Sequence, residues 1–156
     1  MPSLFLEAFA RLVVVLHALA AIVLVGAATH HALVALGFVR GVFKIRLARI
    51  YAATVAVAWL VTFALGLLAY PTFRYAVRAL YMDRYEPWAS NLFDTKENFA
   101  ALGLPLVVLV LVMSRVMDAK EDRVLVRMYA ACAVLVAAIV WFDVISGIVI
   151  TMTRGV

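Results

Sequence analysis

Four long apolar runs, separated by short charged stretches, make up almost the whole chain. The first, Leu12 to Val39, is bounded by Arg11 and Arg40. The second runs from about Ile50 to Tyr70 and is closed by Pro71; the third follows a polar segment and reaches about Met113. The fourth, from about Val124 to Met152, is interrupted by one carboxylate, Asp143. Roughly twenty apolar residues suffice for a helix to cross hydrocarbon, and none of these runs has a polar side that would turn to water. The pattern predicts an all-α integral membrane four-helix bundle in a single domain. Its helices are expected over about 9–38, 50–70, 95–117 and 122–152, with an aromatic extracytoplasmic loop over 71–94.

Local signals refine these elements. Asp94 and Glu97 form a D-x-x-E capping box that starts the third helix near Thr95. Gly103 and Pro105 predict a kink within it. Ala52 with Ala56, and Ala130, Ala133 and Ala137, offer small faces for close helix packing. Thr54 and Thr62 can bond back to carbonyls of their own helix. Trp59 falls in mid-span, where it is expected to pack against another helix or a ligand. The polar segment carries Arg74, Arg78, Arg84 and Lys96 against Asp83, Glu86, Asp94 and Glu97, so it is charge-balanced. Phe73, Tyr75, Tyr81, Tyr85 and Trp88 give it the composition of headgroup-level structure. Arg74 and Arg78, four apart, suggest that the second helix continues beyond the hydrocarbon or that a short helix lies on the surface.

Composition sharpens the membrane reading. Hydrophobic residues make up 68% of the chain, with a mean hydropathy of +1.09, far above an ordinary soluble domain. The net charge of +5 comes from basic residues at the ends of apolar runs, which sets orientation rather than forming a nucleic-acid footprint. Arg40, Lys44, Arg46 and Arg49 fill the first short loop, and Arg115, Lys120, Arg123 and Arg127 surround the third. These loops are expected to be cytoplasmic, which places both termini outside, N-out/C-out. A signal peptide would need a basic start and a shorter apolar core, so the first run is read as a retained span. Cys132, alone in an apolar run, is read as a small core residue.

All three histidines, His17, His30 and His31, lie in the first run. Imidazole is costly inside a bilayer and usually faces protein, water or a cofactor. At about 100° per residue, His31 lies within about 40° of the face of His17, some 21 Å further along the helix. Ala20, Ala21, Leu24 and Ala28 lie between them, with Ala35 beyond, leaving room for a flat ring or another helix. His30 points elsewhere and is read as a packing residue.

The spacing His17-x13-His31 resembles the haem-bearing helices of respiratory cytochrome b, in which two such helices face each other and each iron takes one histidine from each. The resemblance covers this one helix, and the other spans contain no histidine. The overall plan also looks like small four-helix bacterial membrane b-type cytochromes. The resemblance implies haem b held by His17 and His31, in a bacterial inner membrane, passing electrons to or from a quinone. Arg11, six residues outward of His17, is a candidate partner for a propionate, and Met113 a candidate substitute ligand near His31. Because one chain supplies no facing imidazole, the missing ligands are expected from a second copy, a homodimer with the alanine stripe on its axis, or from another membrane subunit.

Asp143 supports an alternative. A carboxylate inside a span is a candidate proton or ion site, and its depth matches that of His17, so it is expected to bond His17 or Arg11. A small dimeric proton-coupled transporter is the corresponding reading. An accessory subunit of a respiratory or photosynthetic complex is a third. Nothing resembles a nucleotide, phosphate or hydrolytic site.

Overall fold

The computed structural model describes residues 5–118 and 120–154. Its four long helices are α1 (Ala10–Val39), α2 (Ile45–Thr72), α3 (Pro87–Val116) and α4 (Arg123–Thr153), each long and apolar enough to cross a membrane. A single 3₁₀ turn, Glu7–Phe9, precedes α1. Helix α1 packs on α2 and α4, and α3 packs on the same two, so the four close into a ring. The fold is all-α, as the apolar runs predict.

Small side chains let the helices approach. Ala27, Ala28, Ala32 and Ala35 of α1, Ala48 and Ala58 of α2, and Ala130, Ala133 and Ala137 of α4 are all buried in one core, and Ala52 of α2 is buried as well. Close backbone approach of this kind replaces the hydrophobic driving force that lipid does not supply. The large aliphatics point outward instead: Leu19, Ile22, Val57, Leu60, Val108 and Ile148 are all exposed. Such a surface suits hydrocarbon and would aggregate in water. Thr54 and Thr62 donate to the carbonyls of Ile50 and Ala58, four residues back, as expected.

The helix ends are satisfied locally. At the end of α1, Gly41 adopts a left-handed φ of 82°, and the N–H of Val42 returns to the Gly37 carbonyl at 2.9 Å. Glycine reaches that conformation without the strain a Cβ would add. The Arg49 guanidinium donates to the Ser114 and Arg115 carbonyls, a cation on the negative end of α3. Asp122 caps α4 by accepting from the N–H groups of Val124 and Leu125.

The expected loop over 71–94 is not a loop. Helix α2 runs through Pro71, then opens into a π-helix over Phe73–Met82 and a last turn, Asp83–Tyr85. Pro71 has no N–H to give the carbonyl four residues back, and the wider coil follows directly after it. The chain breaks only at Glu86, and Pro87 opens α3 at a position where a missing N–H costs nothing. Asp94 therefore lies inside α3 and caps nothing. Its carboxylate instead takes both terminal nitrogens of Arg78, at 2.6 and 2.8 Å, while Ser90 donates to Asp83. These bonds fasten the extended end of α2 to the first turns of α3.

Candidate functional site

The polar candidates of the bundle centre on two histidines, one toward each end of α1. Toward the start of α1, His17 is half-buried and its Nδ1 lies 2.9 Å from the Thr62 carbonyl of α2. A carbonyl can only accept, so Nδ1 carries the proton and Nε2 of the neutral ring presents its lone pair. Gly66, one turn further along α2, lies beside the ring. A Cβ at Gly66 would stand 3.4 Å from His17 Cε1, in ordinary van der Waals contact, so this position of α2 borders the ring directly. Gly66 went unnoticed in the sequence because nothing in a lone glycine says which side chain faces it.

Lys96 is the second residue missed. On α3, within the helix expected over 95–117, it has its stem beside Gly147 and its ammonium 5.8 Å from the Phe93 ring. It is close enough to act electrostatically on both His17 and Asp143. Its place on the third helix was legible, but nothing in a lone lysine says which helix it faces. Asp143 is half-buried, and its Oδ1 is buried with no hydrogen-bond partner. The expected pairing with His17 or Arg11 is not made: no hydrogen bond or ion pair joins them among the described residues. Arg11 is exposed in the first turn of α1. Among the described residues no hydrogen bond or ion pair joins Lys96 to Asp143 either.

Toward the other end, His31 is entirely buried. Its Nε2 and the hydroxyl of Tyr129, itself fully buried on α4, share a 2.6 Å hydrogen bond, with the rings edge to face. His31 Nδ1 is left buried without a partner. The pair lies 98 residues apart in sequence, which is why spacing along α1 alone did not reveal it. Met113 is also buried in the core, as packing. Replacing Tyr129 with phenylalanine is expected to cost about 1–3 kcal/mol, because both ring nitrogens of His31 are then unsatisfied in an apolar core. Reversible unfolding in mixed micelles measures this; a change below about 0.5 kcal/mol would mean the bond contributes little.

His30 is exposed. Its Nδ1 donates to the Gly26 carbonyl at 2.8 Å, and the ring stacks on Tyr51. The small stripe of α1 is filled by protein: Leu24, Ala28 and Ala35 are buried against neighbouring helices. Of the two occupants it allowed, a ring or a helix, the helix is found. His31 is enclosed by the chain's own helices, whereas Ala20 and Ala21, nearer His17, are only half-buried.

An apolar groove of about 480 Å³ runs between α1 and α2, lined by Ala20, Val23, Ala53, Val57, Ala58 and Val61 among others. Ala20 follows His17 by one turn and Val61 precedes Thr62, so the groove starts beside the His17–Thr62 contact. Small residues on both helices leave this space, and it opens on the outer side of the seam. No cluster of three or more His, Cys, Asp or Glu side chains forms among the described residues. The site thus offers one oriented imidazole, one cation, one unsatisfied carboxylate oxygen and an adjacent apolar groove. No known family model, curated protein or solved structure matches this chain.

Proposed function

We propose that the chain is a membrane-embedded b-type cytochrome that transfers electrons to or from a quinone, with His17 as its haem ligand. The observation that carries this reading is the His17–Thr62 bond. Ligating histidines usually donate their other N–H to a carbonyl or carboxylate, which fixes the tautomer and makes the free nitrogen more basic. Haem b would supply a one-electron couple there. Thr62 holds the imidazole, Gly66 borders it, and the groove walls exclude water. Lys96 provides a cation for a propionate.

The proposal moves away from two haems per homodimer. With Nε2 given to Tyr129, His31 serves the fold, so only His17 is assigned as a ligand. Two facing imidazoles then require two chains, each giving its His17, and the expected ratio is one haem to two chains. Haem and protein quantified on the same purified sample test this. A ratio of one haem per chain would replace the shared site with a separate one in each copy.

The same reading puts the protein in a bacterial inner membrane, with the first and third turns cytoplasmic. Asn91 is exposed near the start of α3. In a Cys132→Ser background, a cysteine introduced by Asn91→Cys is expected to react with an impermeant thiol reagent added outside intact cells. Labelling only after lysis would reverse the topology.

Asp143 supports the second reading, a proton-coupled transporter. An unsatisfied carboxylate oxygen facing a lysine inside an apolar bundle is a site that can take and release a proton. A colourless protein whose proton-coupled uptake is abolished by Asp143→Asn would favour it. A colourless protein without transport would favour the accessory-subunit reading.

A further inference from the structure

At the end of the bundle away from His17, a cavity of about 410 Å³ opens between the turn after α1 and the start of α4. One wall is aromatic and aliphatic: Phe38, Phe43 and Val126. Phe38 is buried and holds Phe43 edge to face, so this wall is fixed by the core. The other wall is cationic, with Lys120, Arg123 and Arg127, and no carboxylate lines the cavity. Of the acids in the adjoining turn, Asp122 accepts from the N–H groups of α4 as its cap, and Asp118 accepts from the Lys120 backbone N–H. Among the described residues no hydrogen bond or ion pair engages the side chains of these three cations, which face a recess at the depth where apolar spans give way to charged turns.

We infer that this cavity binds an anionic phospholipid, its phosphate held by Lys120, Arg123 and Arg127 and the upper part of an acyl chain laid on Phe38 and Phe43. Guanidinium groups match phosphate oxygens in geometry as well as charge. Basic pockets between spans at the membrane surface take acidic headgroups, with each cation strengthening the attraction. The aromatic wall decides between sources of the phosphate. A soluble phosphate would leave that wall wet, whereas a lipid covers it.

The test is native mass spectrometry of the full chain in detergent micelles doped with equal amounts of phosphatidylglycerol and phosphatidylcholine, with and without excess inorganic phosphate. Phosphatidylglycerol is expected to be retained preferentially and to resist inorganic phosphate. Arg123→Gln with Arg127→Gln should reduce its retention by about tenfold or more. Lys120→Gln, an exposed turn substitution that leaves the helices untouched, should reduce it severalfold. Arg74→Gln, an exposed position at the other end of the bundle, should leave it unchanged. Undiminished retention in Lys120→Gln, or equal loss in Arg74→Gln, would overturn the site. Equal retention of phosphatidylcholine would overturn the charge argument, and displacement by inorganic phosphate would assign the cavity to a soluble anion instead.

Discussion

Gly103→Ala is expected to be the most damaging single methyl addition in this protein. A Cβ at that position would fall within the space of the Trp59 indole, against its Cη2 and Cζ2 atoms. Trp59 is itself buried in the core, between α2 and α3, and has no free side to retreat to. Overpacking of this kind costs about 1–3 kcal/mol, and more where backbone must move. The two helices would have to separate, carrying Lys96 and Thr62 with them. Unfolding of Gly103→Ala in mixed micelles should show that loss. Trp59→Phe withdraws the distal ring, so the double variant should lose less than the two single variants together. Strict additivity would show that the collision is relieved elsewhere and that this contact does not set the α2–α3 distance.

That contact also illustrates how far the sequence reaches. Apolar run length was enough to predict four helices, because any chain of this composition must satisfy its backbone internally to sit in lipid. The alanine faces at Ala52 and at Ala130, Ala133 and Ala137 were legible for the same reason, since only small residues bring helices close. Trp59 was placed against a helix or a ligand, and the helix is α3. The continuation of the second helix past Pro71, one of the two readings of Arg74 and Arg78, is found, but its reach to Tyr85 was hidden by charges that look solvated. In the fold they are paired across α2 and α3, Arg78 with Asp94, and keep the backbone helical. A local pattern, Asp94 to Glu97, competed with a helix start at Pro87, and the tertiary ion pair decided between them.

The candidate site was only half legible. His17 and His31 stand at the spacing the sequence gives, but α1 alone cannot say what faces each ring. His17 meets a carbonyl and a glycine, and His31 meets a tyrosine from a helix almost a hundred residues away. Equivalent positions on one helix therefore acquire different chemistry from their neighbours. Lys96 and Asp143 make the same point: one lies beside a glycine of another helix that its own helix cannot name, the other was expected to have a partner it lacks.

The second large effect concerns His17 and carries the central claim. His17→Ala removes the one imidazole whose free nitrogen is assigned to haem, yet deletes a side chain that is only half-buried, so the bundle is expected to survive. His31→Ala empties a fully buried site and strands the Tyr129 hydroxyl, so it should destabilise the fold by about 3 kcal/mol or more while leaving the ligand in place. His30→Ala, at an exposed position, should do neither. The visible absorption spectrum of the purified protein, oxidised and then reduced, measures this directly in the wild type and the three variants. The account predicts low-spin b-type haem bands in the wild type, in His30→Ala and in folded His31→Ala, and their loss in His17→Ala. A wild-type protein that stays colourless after expression with ample haem, or a His17→Ala variant that keeps the wild-type spectrum, would contradict it.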